Sequence, residues 1–431
     1  MKQLLAYCLS IILCVSFTGC MENYLDLYPE DKITSASFPE NESDIKLLLN
    51  GVYAQLREKE VYNQGLFGFG ITDGATPNAF NWGTDEVFNK LGAGRLSSSD
   101  GGVVTYRWKR CYEIISRANY LLACMDLVDL SEEAKAKYSG ETHFLRGLAY
   151  SVLAETYGGV PIILTDISTE EARSLKRASL EETWQQALDD YEVAITNLGV
   201  DAPEPGRATK GAALGMKMRA YLYQGKYKEV LSCVEQIDAL KKYGLFHSYE
   251  GLFDPANENN KEVLFDIQYI EGENSQGSYI DQYCGTGTGS WTRGSRYVPT
   301  DDLVAAYETI DGSPVDPENP YENRDPRLGF TAVLPGSYFL GYRFPNYLYP
   351  GGAFNHAGNR LKHLSTRKYR IQDESKLPPS GQSYINDIIL RYADVLLSKA
   401  EAIIETNGSV ADAIAILNRI RTERSLCCRH L

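Results

Sequence analysis

Two tryptophans of this 431-residue chain lie where their rings are free to do chemistry. Trp82 sits in Asn78-Ala-Phe-Asn-Trp-Gly-Thr84 and Trp291 in Gly289-Ser-Trp-Thr-Arg293, stretches of small polar residues with no helical or strand period to bury an indole. A sugar ring has one apolar C–H face that stacks on an aromatic plane, while its edge hydroxyls need amides, guanidinium groups or carboxylates. Asn78, Asn81, Arg293 and Arg296 are of those types, and Tyr283 and Tyr297 add further rings nearby. The structural alternative is that each tryptophan plugs the small core of its own insertion. For one tryptophan alone the two readings weigh equally; the pair tips the balance towards binding. Trp108 and Trp184 fall on apolar helical faces, where packing explains them.

Bond-making chemistry finds less support. None of the histidines 143, 247, 356, 363 and 430 forms an HExxH or an i, i+4 pair suited to zinc. Gly285-Thr-Gly-Thr-Gly-Ser-Trp291 lacks the lysine of a phosphate-binding loop. With 57 acidic residues a glycosidase-like pair arises by chance, so Asp281, Asp301 and Asp302 read first as solvated or capping groups. The expectation is a protein without catalysis, cofactor or metal. A formal charge of −14 also argues against nucleic acid as a partner.

Cys20 carries a different chemistry. Met1-Lys2 precedes an apolar run from Leu4 to Phe17 and then Phe17-Thr18-Gly19-Cys20, a short secretory leader too brief to span a bilayer. Cysteine directly after Thr-Gly resembles a bacterial lipobox, so residues 1–19 are expected to be removed and Cys20 to be acylated. Two or more acyl chains anchor a protein stably. No later apolar stretch reaches the roughly 20 residues of a spanning helix. The cysteines at 111, 124 and 233 fall on predicted helices and are expected as buried free thiols.

Helices must position these groups. Trp108, Cys111, Ile115, Ala118, Leu122 and Met125 recur at helical steps, with Arg107, Lys109, Arg110, Glu113 and Arg117 assigned to the opposite face. A helix follows Ser131 and stops at Gly158-Gly159, and Ser179 with Glu182 reads as a capping box. Ala212–Tyr223 and Tyr227–Leu240 form a pair broken at Gln224-Gly225; Asp387–Glu405 and Ala411–Arg421 form another. These resemble tetratricopeptide-type hairpins. Residues 241–385 hold 11 of the 17 prolines and 14 of the 30 tyrosines, too broken for helices and too aromatic for a disordered linker. The chain therefore divides into the leader 1–19, a helical region 20–240 with a loop insertion at about 65–102, a loop-rich region 241–385 that is expected to bind ligand, and a helical hairpin 386–431. The fold class is mainly all-α. Within the loops, Tyr338 to Tyr349 is expected to fold its own loop, and Arg324 and Arg327 to tie the loops to the helices through carboxylates.

A set of short motifs, in order, then carries a resemblance. They are Tyr24-Leu-Asp-Leu-Tyr-Pro29, Leu49-Asn-Gly-Val-Tyr53, Phe144-Leu-Arg-Gly-Leu-Ala-Tyr150, Tyr157-Gly-Gly-Val-Pro161, Gly206-Arg-Ala-Thr-Lys210, Pro299-Thr-Asp-Asp-Leu303, Asn323-Arg-Asp-Pro-Arg-Leu328 and Leu390-Arg-Tyr-Ala-Asp394. Behind a lipobox, this order and spacing resembles the SusD/RagB family of surface nutrient-binding lipoproteins. The resemblance implies tetratricopeptide-like hairpins carrying a loop-rich binding region and a lipid-anchored place on the outer membrane facing outwards. It also implies glycan capture without catalysis and a SusC-like TonB-dependent transporter as partner. A peptide-capturing RagB-like binder is the alternative, with a secreted glycoside hydrolase and a periplasmic assembly scaffold ranked below. The ending, Thr422 to Leu431 with Cys427-Cys428, departs from the family pattern and is expected to be a truncated or frame-shifted end.

Overall fold

The computed structural model describes residues 38–57, 73–81, 90–270, 277–278, 280, 297–344, 364–377 and 383–422. The leader, Cys20, Trp82, Tyr283, Trp291, Arg293, Arg296 and Cys427-Cys428 lie outside the described residues.

Helices make the body. In chain order they are α1 (Glu42–Ala54), α2 (Val103–Cys124), α3 (Glu132–Tyr157), the short α4 (Thr169–Ser174), α5 (Leu180–Asn197), α6 (Lys210–Tyr223) and α7 (Tyr227–Ala239). Local signals set their ends. Ser131 accepts a hydrogen bond from the Ala134 N–H at 3.1 Å, and Ser179 and Glu182 form the reciprocal capping box that their spacing predicts. Gly158 leaves α3 with φ of 76°, and a Cβ on Gly159 would lie 2.0 Å from the Ala178 carbonyl oxygen. The Gly-Gly pair thus lets α3 end where the chain passes close against the approach to α5.

α2 buries Cys111, Ile115, Ala118 and Met125 as the spacing predicts. Its outer face needs correction, because Arg110 is 6% exposed. Its Nη1 donates to Gln55 Oε1 at 2.8 Å and to Glu113 Oε2 at 2.6 Å, and its Nε to the Tyr106 hydroxyl at 3.2 Å. The end of α1 covers that part of α2, so a helix face that looks solvated in isolation becomes an interface. The thiols of Cys111, Cys124 and Cys233 are free and buried.

The motif residues tie helices together. Arg146 of α3 forks onto Asp190 of α5, Nη2 to Oδ1 at 2.7 Å and Nε to Oδ2 at 3.0 Å. Its Nη1 donates to Asn119 Oδ1 at 2.8 Å, and the Asn119 amide donates to the carbonyls of Ile163 and Thr165. Tyr53 donates to Glu141 Oε2 at 2.8 Å and accepts from the Ala208 N–H at 2.9 Å, with the Arg207 guanidinium 4.9 Å from the centre of its ring. Burial holds the Glu141 carboxyl above its usual range.

Four two-stranded antiparallel ribbons occur among the described residues: β1 (Ala79–Asn81) with β3 (Tyr297–Pro299), β2 (Val263–Ile267) with β8 (Asp387–Arg391), β4 (Ala332–Val333) with β7 (Ser365–Thr366), and β5 (Tyr338–Phe339) with β6 (Tyr342–Arg343). The helix expected from Asp387 therefore begins later: Asp387–Arg391 is strand, α10 spans Tyr392–Glu405 and α11 spans Val410–Thr422. Ile388 and Ile389 are β-branched, and a run this short has no period that separates strand from helix. The β2 edge decides it, pairing Ile267 with Asp387 and Val263 with Arg391. Phe265 of β2 packs edge-on to Phe144 of α3, centroids 4.9 Å apart, which fastens the ribbon to the main core.

Residues 241–385 otherwise hold short pieces, including α8 (Asp301–Ala306) and α9 (Arg327–Thr331). Tyr249, Leu252, Phe253, Tyr369 and Ile371 build a second hydrophobic cluster. Phe339, Leu340 and Phe344 join Val333 in a third, so the tract as far as Phe344 supports its own loop, while residues 345–349 lie outside the described residues. Arg324 does not reach the helical body through a carboxylate among the described residues. Arg324 donates to backbone carbonyls, those of Pro320 at 2.6 Å, Val304 and Tyr307, while Arg327 pairs with Asp325 two residues away. Carbonyls left unpaired by the irregular turn supply the acceptors that helix carboxylates were expected to provide.

The β2–β8 seam gathers carboxylates. Burial pushes Asp266 up to about 6, and Asp387 and Glu258 to about 7, with the Asp266 charge as a second cause for the latter two. An exposed carboxylate titrates near about 4, so these groups contribute stability that is complete below that pH and is lost as pH rises through about 6–7. His143, which burial holds low, acts in the opposite direction. We therefore expect Asp266→Asn to make the melting temperature less sensitive to a rise from about pH 5 to about pH 8, the wild type losing more over that interval. Thermal unfolding across this range checks it; an identical slope in both proteins overturns it.

Candidate ligand-binding site

The β1–β3 ribbon joins the two insertions that hold the candidate residues. Its register sets Ala79 opposite Pro299, Phe80 opposite Val298 and Asn81 opposite Tyr297. The pairing continues past the strands, since the Thr300 N–H donates to the Asn78 carbonyl at 3.1 Å and the Thr300 hydroxyl donates to that of Pro77. Thr300 then caps α8, its side chain accepting from the Leu303 N–H at 3.1 Å. One residue thus holds the ribbon at one end and starts a helix at the other. A single 3₁₀ turn, Asp73–Ala75, packs against β1.

The ribbon has a seated member and open ones. Val298 is buried, while Phe80 is 42% exposed and Asn78 is exposed. Asp301 and Asp302 lie exposed in the first turn of α8, where negative charge suits the helix N-terminus. Of the eight residues singled out from sequence, Asn78, Asn81 and Tyr297 come together here; the other five lie outside the described residues. Among the described residues no group of three His, Cys, Asp or Glu side chains is placed to hold a metal ion. No helix of the described residues is long and apolar enough to cross a membrane.

Sequence reading missed a second polar recess, of about 310 Å³, between the helical body and β8. Arg107, Glu155, Arg219, Tyr223 and Asp387 line it, from α2, α3, α6 and β8. No local pattern could link residues so far apart in the chain.

With this geometry in place, comparison with known proteins is decisive. The profile of the SusD family matches residues 261–424, and that of a family described as starch-binding and associating with the outer membrane matches residues 23–222. The chain belongs to the SusD/RagB family. A curated SusD-like protein, P25 of Formosa agariphila, is 26% identical over 97% of this chain and 81% of its own length. A SusD-like carbohydrate-binding protein of Bacteroides fragilis superposes with a TM-score of 0.79 at 26% identity, covering 90% of this chain and 80% of that one. A second SusD-like protein of that organism gives 0.77 at 25%, over 94% and 82%. The mainly helical fold with helical pairs and minor strands is that of SusD-like proteins. Members of this family bind rather than catalyse, which sets aside the hydrolase reading, and the family description associates them with the outer membrane.

Proposed function

We propose that this SusD-family protein captures oligosaccharide outside the outer membrane, held there by lipid on Cys20, and passes it to a SusC-like TonB-dependent transporter. The observation that carries the reading is the β1–β3 pairing. It unites two aromatic, asparagine- and glycine-rich insertions on a rigid helical body, the arrangement in which binding loops work best. Trp82 follows β1 directly in the chain and Trp291 precedes β3 by six residues, so both belong to the segments that the ribbon joins. Stacking on these indoles would orient a sugar, and Asn78, Asn81, Arg293 and Arg296 would take its hydroxyls, with Tyr283 and Tyr297 as further rings. The carbohydrate-binding relative from Bacteroides fragilis supports this class of ligand.

A binder anchored outside a membrane cannot carry its ligand across, which is why the reading includes a barrel partner. Membranes from cells making wild type or Cys20→Ala test both parts at once. The wild type is expected to sediment with the outer membrane and to bring down a large β-barrel protein after mild detergent extraction; Cys20→Ala is expected to wash off. Membrane retention of Cys20→Ala rejects the anchor, and recovery of the wild type without a barrel rejects the partner.

A further inference from the structure

A different recess, of about 340 Å³, opens over the second hydrophobic cluster of the loop-rich region. Its walls come from the 3₁₀ turn Gly251–Phe253, from Phe330 of α9 and from residues 367–373 after β7. Lys368 lines it, half-buried, in an aromatic cage. The ammonium lies 4.5 Å from the centre of the Phe253 ring, 5.5 Å from that of Tyr369 and 5.9 Å from that of Tyr249. Ring faces attract a cation but leave its donors without a strong acceptor. Among the described residues no carboxylate and no carbonyl accepts from Lys368 Nζ, and the nitrogen is not sealed away from solvent. Tyr369 adopts a φ of 59°, a left-handed conformation that strains a bulky residue, and this turn sets its ring beside the neighbouring ammonium. The cage thus holds a cation at the cavity without giving it a counter-charge.

Charge decides what fits. The carboxylates of the recess already have partners: Glu250 accepts from Arg367 Nη2 at 3.0 Å, Asp254 from the Ala256 N–H at 2.8 Å, and Asp373 from the Ser375 N–H and hydroxyl at 3.0 and 2.7 Å. Four cationic side chains line the cavity with these three carboxylates, in a chain whose formal charge is −14. The local field shows at Tyr249. Burial alone would push its hydroxyl up, yet Lys368, then Arg391 and Arg327, and a hydrogen bond with Thr331 hold it below its usual value. A cationic ligand would meet an ammonium that lacks a counter-charge, and a neutral one would leave that ammonium unpaired. An oxyanion supplies charge-assisted hydrogen bonds. Phe330 and Tyr384, partly buried, add rings for an apolar C–H face. The volume lies at the lower end of the roughly 300–1,000 Å³ of small-molecule pockets, room for one ring. We infer that this recess binds one acidic sugar residue, its carboxylate or sulfate ester on Lys368. The inference rests on the reading of the protein as a glycan binder, but no residue of the β1–β3 ribbon lines the recess.

Saturation-transfer NMR titrations of the full chain with D-glucuronate and D-glucose 6-sulfate, beside D-glucose, test this, with inorganic sulfate as competitor. At least one acidic sugar is expected to bind saturably, about tenfold more tightly than D-glucose and than the inorganic ion; which of the two binds tells carboxylate from sulfate ester. Lys368→Met, which keeps the stem and removes the charge, should weaken that binding about tenfold, and Lys368→Arg should restore most of it. Lys376→Gln should weaken it about twofold; Lys376 is exposed, so this variant folds and decides the matter even where Lys368→Met does not. Absence of saturable acidic-sugar binding, glucose binding as tightly, displacement by equimolar inorganic sulfate, or indifference to the lysine variants overturns the inference. The Trp82→Ala/Trp291→Ala chain should bind the acidic monosaccharide as the wild type does, and loss of binding there also overturns it, placing the ligand at the ribbon. Failure of the ribbon reading shows differently, as undiminished binding of a neutral oligosaccharide by that double variant.

Discussion

Glycan binding is expected to fall about tenfold when Trp82 or Trp291 alone is changed to alanine, and to become undetectable at ordinary ligand concentrations when both are changed. A tenfold loss corresponds to about 1.4 kcal/mol, near the top of the roughly 0.5–1.5 kcal/mol that an aromatic contact contributes beyond burial. The two losses should compound, because one extended ligand would lie across both rings. Melting temperature should barely change, since neither residue falls on the helical period that carries Phe144, Tyr150, Tyr191 and their neighbours into the core. Calorimetric titration of the single and double variants with the best glycan from an array screen, beside thermal unfolding, separates the readings. Variants that lose stability while their folded fraction binds normally would make these tryptophans cores of their own loops.

Stability should respond most strongly at Asp190. Removing it as Asp190→Ala leaves the Arg146 guanidinium buried between α3 and α5 without its carboxylate, a change that typically costs about 3–5 kcal/mol. Arg146 and Asp190 are 6% and 1% exposed, so water cannot step in for the lost partner. Against a typical total of about 5–15 kcal/mol, that loss is expected to leave much of the protein unfolded at growth temperature. Replacing both residues, Arg146→Met with Asp190→Leu, should cost less than Asp190→Ala alone, because no charge is stranded. Urea unfolding of the three proteins measures this. A penalty for Asp190→Ala below about 1 kcal/mol, the range of exposed pairs, would mean that the fork contributes no more than a surface ion pair.

The helices were legible in the sequence because their determinants are local. Ser131 and the Ser179–Glu182 box act within one turn, and the apolar stripe of α2 repeats within its own length. Errors fell where a distant element decides. Arg110 is buried because the end of α1 covers it, and Asp387–Arg391 is a strand because β2, more than a hundred residues earlier, lies beside it. Arg324 found backbone carbonyls that only a folded turn presents. The short motifs signalled the family without revealing their work, which is to cross-tie helices: Tyr53 to Glu141, Arg146 to Asp190. Sequence reading expected the two tryptophan-bearing insertions to share one platform but saw no strand in either; runs of three residues carry no period, and Asn81 meets Tyr297 only through long-range pairing. The mixed-charge recess had no local signature, being assembled from single residues of separate elements.

The proposed site has an assembly requirement that follows from its two strands. β1 comes from the first quarter of the chain and β3 from the third, and among the described residues each is the other's pairing partner. A chain interrupted between residues 240 and 297 still holds every residue of helices α1 to α7, yet it would lack half of the ribbon. Such a fragment would pass tests of helix content while remaining blind to glycan. Ligand affinity is therefore a proofreading measure of translation and export, reporting that both halves arrived on one polypeptide and closed on each other.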